Sequence, residues 1–174
     1  KEYRRQRQMC IRDSLLALDP SIPVLSEEDA DIALSERAGW SRWWLVDPLD
    51  GTKEFIADSE EFTVNVALIE HGEVVFGVVG IPATGVIYHG GRECGAWRVE
   101  PGQQPQAISM RETPASGLSV VASRRHGSAL QEQLLAALIA RFGDIERISV
   151  GSSLKFCQLA EGLSLIHISE PTRQ

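Results

Sequence analysis

The sequence predicts a mixed α/β fold, and three observations predict it. Short apolar segments separated by turn residues run from Trp43 to Val99 and read as a β-meander. From Leu118 onward the pattern changes to strand, helix, strand, helix. The composition, 43% hydrophobic with 24% charged, is that of a globular chain with enough apolar residues for a core.

Taken in order, Leu15–Leu18 reads as the end of a helix or loop stopped by Asp19-Pro20, and Val24-Leu25 as a short apolar run before Ser26-Glu27-Glu28-Asp29. Trp43–Val46 reads as a buried strand closed by Asp47-Pro48. Asp50-Gly51-Thr52 is a turn in which Thr52 is expected to cap a short helix through Phe55 and Ile56. Phe62–Ile69 alternates, with Val64, Val66 and Leu68 on one face; His71-Gly72-Glu73 is a hairpin turn and Val74–Ile81 its partner strand. Val86–His89 and Ala96–Val99 are further strands, and residues 100–117, rich in Pro, Gly and Gln, read as a loop or lobe connection. Leu118–Ala122 is a strand. Leu130, Leu134, Leu135, Leu138, Ile139 and Phe142 recur at helical spacing up to Gly143. Ile145–Val150 is a strand, and Gly151-Ser152-Ser153 leads into a helix reaching Gly162.

The two ends read differently. Residues 1–14 carry five basic and two acidic side chains with no amphipathic period, and the last stretch, from Leu163, lacks a core-like period. Met9–Ser14 can be encoded by ATG TGT ATA AGA GAC AGN. The reverse complement of its fixed part translates as Leu163-Ser164-Leu165-Ile166-His167 and opens an Ile codon for Ile168. One DNA element read in both directions, similar to a transposase-type library adaptor, would account for both ends. Residues 1–14 and 163–174 are therefore expected to be non-native, the alternative being a natural basic arm and tail. Residues 15–162 hold 11 basic and 21 acidic side chains, a charge of −10.

Several function classes drop out. The whole chain carries 17 basic against 24 acidic side chains, a balance of −7 that argues against nucleic acid as a bulk partner. No apolar run approaches the roughly 18 residues of a transmembrane helix, and no signal peptide is recognisable. Cys10, Cys94 and Cys157 are odd in number and form no CxxC pair, so a disulfide scaffold and a zinc site are not expected and a cytoplasmic setting is.

The acid is concentrated: eleven of the 24 carboxylates lie between Glu27 and Glu61. Within that stretch, Asp47-Pro48-Leu49-Asp50-Gly51-Thr52 follows an apolar strand, where open α/β sheets place ligand sites. Pro48 fixes its own φ and keeps Asp47 out of the α region, so two carboxylates can converge with the Leu49 carbonyl between them. Oxygen-only ligands of this kind suit Mg²⁺ or Ca²⁺. Gly51 allows an anion to approach, with the following N–H groups at a helix start directed at it. Asp-Pro-x-Asp-Gly is also ordinary turn chemistry. What distinguishes it here is the strand before it and the second acidic cluster at Glu27-Glu28-Asp29, whose uncompensated charges must be solvated or cation-bound.

Trp44-Leu-Val-Asp-Pro-Leu-Asp-Gly-Thr-Lys-Glu-Phe55 with upstream Ser26-Glu-Glu28 resembles the inositol monophosphatase-like family of metal-dependent, lithium-sensitive phosphatases. Glu61-Phe-Thr-Val-Asn-Val-Ala67, Ser123-Arg-Arg-His126 and Gly151-Ser-Ser-Leu-Lys-Phe-Cys157 are similar to its 3'(2'),5'-bisphosphate nucleotidase branch. The resemblance implies an α+β layered sandwich of the sugar-phosphatase type, incomplete here. Residues 15–117 would form part of a metal-binding lobe and 118–162 the start of a nucleotide-binding lobe.

It further implies two or more Mg²⁺ ions, with Glu27, Asp47, Asp50 and the Leu49 carbonyl as ligands. Glu27 and Thr52 would activate a water for in-line displacement without a phosphoenzyme, and the Gly51 and Thr52 amides would hold the phosphate. The substrate would be adenosine 3',5'-bisphosphate, a by-product of sulfate assimilation, cleaved to AMP. His126, Ser152, Ser153 and Lys155 would contact the nucleotide.

Simpler roles exist for several of these residues: Ser152-Ser153 as a helix cap, Lys155 as a solvent-facing side chain, Glu28 as an orienting group, and Trp40, Trp43 and Trp44 as packing. The family's Trp-Asp-x-Ala-Gly motif, with its further metal ligand, is absent, as are its N-terminal helices, so this polypeptide is expected to be nearly inactive. Alternatives are an inositol or other sugar-phosphate phosphatase of the same family, or a non-catalytic, cation-dependent nucleotide-binding domain. A peripheral place at the inner membrane face is compatible with the same reading, and oligomeric state is left open.

Overall fold

The computed structural model describes residues 2–27, 32–122, 129–164 and 166–168. The chain divides into two units, Lys1–Ala107 and Ile108–Gln174.

The first unit is a helix on a seven-stranded sheet. Helix α1 (Glu2–Leu18) is followed by β1 (Val24–Ser26), a short helix α2 (Leu34–Arg37) and the long strand β2 (Arg42–Asp50). Then come α3 (Thr52–Ile56), β3 (Thr63–Glu70), β4 (Glu73–Ile81), β5 (Val86–Gly91), β6 (Gly95–Val99) and β7 (Gln106–Ala107). The strands lie side by side in chain order. Strand β1 runs parallel to β2 and every later pair is antiparallel, the meander expected from the alternating pattern. His71 and Gly72 both take positive φ, 51° and 82°, the geometry of a two-residue hairpin loop whose twist matches that of its strands.

Helix α1 packs on the β1–β2 end of this sheet. Leu15, Val24 and Val46 form the buried centre, with Ile11, Leu16, Trp44 and Val66 packed on it. That cluster explains why β2 and β3 alternate: Trp44, Val46 and Val66 must leave water together, and the residues between them face the other way. Helix α1 stops where expected, with Asp19 Oδ1 taking the Ser21 N–H at 2.9 Å. It runs without a break through residue 14, so residues 2–14, expected to be non-native, are helical; Ile11 joins the buried cluster and the Arg7 guanidinium lies 5.8 Å from the Phe62 ring centre.

Three expectations are corrected in this unit. Strand β2 does not close at Asp47-Pro48 but continues to Asp50 through an irregularity in its pairing with β3. Thr52 is not the cap of α3: Gly51 is, at φ 83°, a left-handed backbone that L side chains adopt only at a cost. Within the stretch 100–117, Gln106–Ala107 pairs with Trp97–Arg98 as a short edge strand.

The second unit alternates strand and helix. Strands β8 (Leu118–Ala122) and β9 (Ile145–Ser149) are parallel and joined through α4 (Ala129–Phe142); α5 (Leu154–Ala160) follows, and β10 (Ile166–Ile168) pairs parallel on the other side of β8. The sheet order is therefore β10-β8-β9. Its core is Leu118, Val120 and Leu135 with Leu138, Phe142 and Ile145 packed against them. Gly143, at φ 80°, ends α4 by returning its N–H to the Ile139 carbonyl at 2.9 Å. Ile166–Ile168, in the segment 163–174 expected to be non-native, take part in this sheet.

Candidate metal centre

Parallel pairing of β1 with β2 sets Ser26 opposite Val46, and the Glu27 N–H continues the ladder by donating to the Val46 carbonyl at 3.0 Å. Glu27, just past the end of β1, thus lies beside Asp47, which is still within β2. Their carboxyl groups hydrogen-bond each other. Burial raises the Asp47 pKa to about 6, and the negative charges of Glu27 and Asp50 and the bond to Glu27 push the same way, against the Leu49 N–H, which donates to Asp47 Oδ1 at 3.0 Å. Glu28 lies outside the described residues.

Asp47 and Asp50 are an odd number of residues apart, so a regular strand would send their side chains to opposite faces. The ladder prevents this. Asp47 pairs with Asn65 and Asp50 with Thr63: three steps along β2 are matched by two along β3. The extra residue, in the buried Pro48-Leu49 segment, returns Asp50 to the face of Asp47. The sequence predicts that the pair converges through a turn; a bulge within a continuous strand does it instead.

Thr63, which the sequence pattern did not single out as a site residue, belongs to this cluster. It is fully buried, and its Oγ1 donates to Asp50 Oδ2 at 3.5 Å. The alternation of Val64, Val66 and Leu68 was the available signal, because it leaves Thr63 and Asn65 on the aspartate face.

Beyond Asp50 the backbone turns through Gly51 into α3, whose Phe55 N–H bonds the Gly51 carbonyl at 2.9 Å. Phe55 meets Phe62 edge to face at 5.1 Å, which fastens this five-residue helix to the start of β3. Thr52 is exposed in its first turn.

The donors suit a hard cation: the negative charges of Glu27 and Asp50 both act on the Asp47 carboxyl, and like charges gathered in this way call for a positive one. Among the described residues, no group of three or more His, Cys, Asp or Glu side chains already converges as a finished cage. Glu27, Asp47 and Asp50 would hold such an ion, which would supply the charge neutralisation that their like charges lack.

The residues expected to contact nucleotide lie in the second unit. Ser152 takes a left-handed φ of 49° and its Oγ accepts the Leu154 N–H at 3.4 Å. Ser153 is the N-cap of α5 but makes no side-chain capping bond. Lys155 is not a solvent-facing side chain: it is half-buried and its Nζ donates to the Ser152 carbonyl at 2.7 Å. His126 lies outside the described residues. Cys157 is buried, and burial pushes its thiol up to about 12, as fits a small core residue; Cys10 and Cys94 are exposed and free. Among the described residues, no helix is long and apolar enough to cross a membrane.

A layered α/β chain with paired acidic residues beside a glycine turn matches one family of known proteins. The profile of the inositol monophosphatase family matches residues 1–174, and the chain belongs to that family. The chain is 46% identical over 157 residues to the 3'(2'),5'-bisphosphate nucleotidase CysQ of Escherichia coli (strain K12), covering 90% of this chain and 60% of that protein. It is 36% identical to the CysQ of Buchnera aphidicola subsp. Acyrthosiphon pisum, again over 157 residues and covering 56% of that protein. The chain thus spans about 60% of the length of the Escherichia coli relative. Among solved structures, CysQ from Bacteroides thetaiotaomicron superposes with a TM-score of 0.75 at 34% identity, over 87% of this chain and 61% of that one. Mycobacterium tuberculosis SuhB, with a TM-score of 0.70 at 23% identity over 90% of this chain and 60% of that one, shares the fold.

Proposed function

We propose that this chain carries the metal-binding part of a 3'(2'),5'-bisphosphate nucleotidase that hydrolyses adenosine 3',5'-bisphosphate to AMP and phosphate with two or more Mg²⁺ ions. The observation that carries this reading is the bulge in β2, which sets Asp50 on the face of Asp47 beside Glu27. Bound Mg²⁺ would supply charge neutralisation and a more acidic attacking water.

The chain's own residues do the rest. Glu27, Asp47, Asp50 and the Leu49 carbonyl are the oxygen donors. Glu27 accepts the proton of the attacking water, which the Thr52 hydroxyl orients. The Gly51 and Thr52 N–H groups hold the transferred phosphate, and His126, Ser152, Ser153 and Lys155 hold the nucleotide. In this reading 15–117 and 118–162 are the metal-binding and nucleotide-binding portions, 1–14 and 163–174 derive from the shared DNA element, and the setting is cytoplasmic.

A stretch at −10 repels a polyanion, so the cation is a condition of binding as well as of chemistry. Calorimetry of the 174-residue chain with adenosine 3',5'-bisphosphate, with Mg²⁺ and after chelation, tests this. Binding that requires Mg²⁺ and is lost in Asp47→Asn is expected. Equal binding after chelation, or a preference for inositol phosphate in competition, would overturn it.

A further inference from the structure

We infer that Thr63 is a positioning residue for Asp50, holding one carboxylate oxygen so that the other is presented to the cation; this rests on the metal reading above. Three observations converge on it. Thr63 is the direct ladder partner of Asp50 on the far side of the bulge, so the backbone fixes their separation. Its side chain is fully sealed from water at the first position of β3. Its Oγ1 lies 3.5 Å from Asp50 Oδ2, and a small turn of the carboxylate brings that to ordinary hydrogen-bonding length.

The chemistry favours a hydroxyl at this position. A buried, β-branched site flanked by Val64 is one where valine fills the same volume at no polar cost. A hydroxyl there is costly unless it is hydrogen-bonded, and the Asp50 side chain offers it an oxygen acceptor. Donation to one oxygen restrains rotation about the Asp50 side chain and leaves charge on the other. Partners of this kind behind metal ligands change metal affinity by about 10- to 100-fold when removed.

The test is a Mg²⁺ titration of the 174-residue chain by calorimetry, comparing wild type with Thr63→Val, Thr63→Ser and Asp50→Asn, with metal-free thermal unfolding alongside. Thr63→Val is expected to weaken Mg²⁺ binding about tenfold. Thr63→Ser, which keeps the hydroxyl, should stay within about twofold of wild type, and Thr63→Val should add nothing in an Asp50→Asn background. Should Thr63→Val fail to fold, Thr63→Ala against Thr63→Ser makes the same comparison. Wild-type affinity retained in a folded Thr63→Val or Thr63→Ala would overturn the inference and leave the metal centre standing. A wild-type chain that takes up no Mg²⁺ would overturn both.

Discussion

Leu49 donates its backbone N–H to Asp47 Oδ1 at 3.0 Å, so the residue whose carbonyl sits between the two aspartates is tied to the first of them. Pro48 between them leaves the chain little freedom to undo that loop. The acid cluster is thus held by local covalent geometry on one side and by the β3 ladder on the other, before any cation arrives.

That arrangement has a pH signature. The Asp47 carboxyl holds its proton to about pH 6 in the folded chain, against an ordinary value of 3.8, chiefly because it is buried. The folded state therefore binds more protons than the unfolded one between these values, and stability falls as pH rises through that window. Asp47→Asn should remove this slope and raise metal-free stability at pH 7 by roughly 1 kcal/mol, the shift being discounted for a half-exposed group. Urea unfolding at pH 4.5 and 7 in chelator measures it, and parallel behaviour of wild type and variant would sink the assignment.

Gly51→Ala places a side chain at φ 83°. The expected loss is about 1 kcal/mol of stability. Because Gly51 opens α3, Mg²⁺-dependent nucleotide binding should weaken as well; a variant with unchanged unfolding midpoint and affinity would show that the turn tolerates another backbone.

Ser164 is 1% exposed and its Oγ has no hydrogen-bond partner among the described residues, a defect shared with the buried Gln158 Oε1. Replacing the hydroxyl with hydrogen removes an uncompensated desolvation cost, so Ser164→Ala should stabilise the second unit by about 1 kcal/mol. Loss of stability instead would mean that the hydroxyl has a water partner.

Two apolar positions on α4 should behave oppositely. Leu135 is 1% exposed in the core of β8 and α4, and Leu135→Ala should cost about 2–5 kcal/mol. Ile139, 46% exposed, should tolerate alanine within about 0.5 kcal/mol. Equal effects in denaturant titrations would contradict the packing described.

What the sequence made legible follows from which signals are local. Val64, Val66 and Leu68 alternate along β3, with Val66 packed on the cluster under α1, and His71-Gly72 marks its hairpin through backbone preference alone; both could be read directly. The continuation of β2 past Pro48 could not, since it depends on hydrogen bonds from β3 that cancel a local break. Thr63 was hidden for the same reason: its partner is thirteen residues away and known only from the register. The helical character of residues 2–14 is faint because Ile11 is the single residue there that joins the buried cluster, too sparse a signal to rise above four basic side chains. The acidic loop itself is plain in the sequence, because its residue types are unusual together; the cap falls at Gly51 and not at Thr52, whose side chain is a commoner cap.

The irregularity at Pro48-Leu49 makes the aspartate pair a matter of parity. An Asp-x-x-Asp string laid on a flat ribbon points one acid at the centre and buries the other in the oily layer under α1. A homologue that lost the surplus residue, or gained a second one, would keep both letters and forfeit the pair in space. Counting residues against the neighbouring strand is therefore a sharper criterion for a competent centre than matching the string.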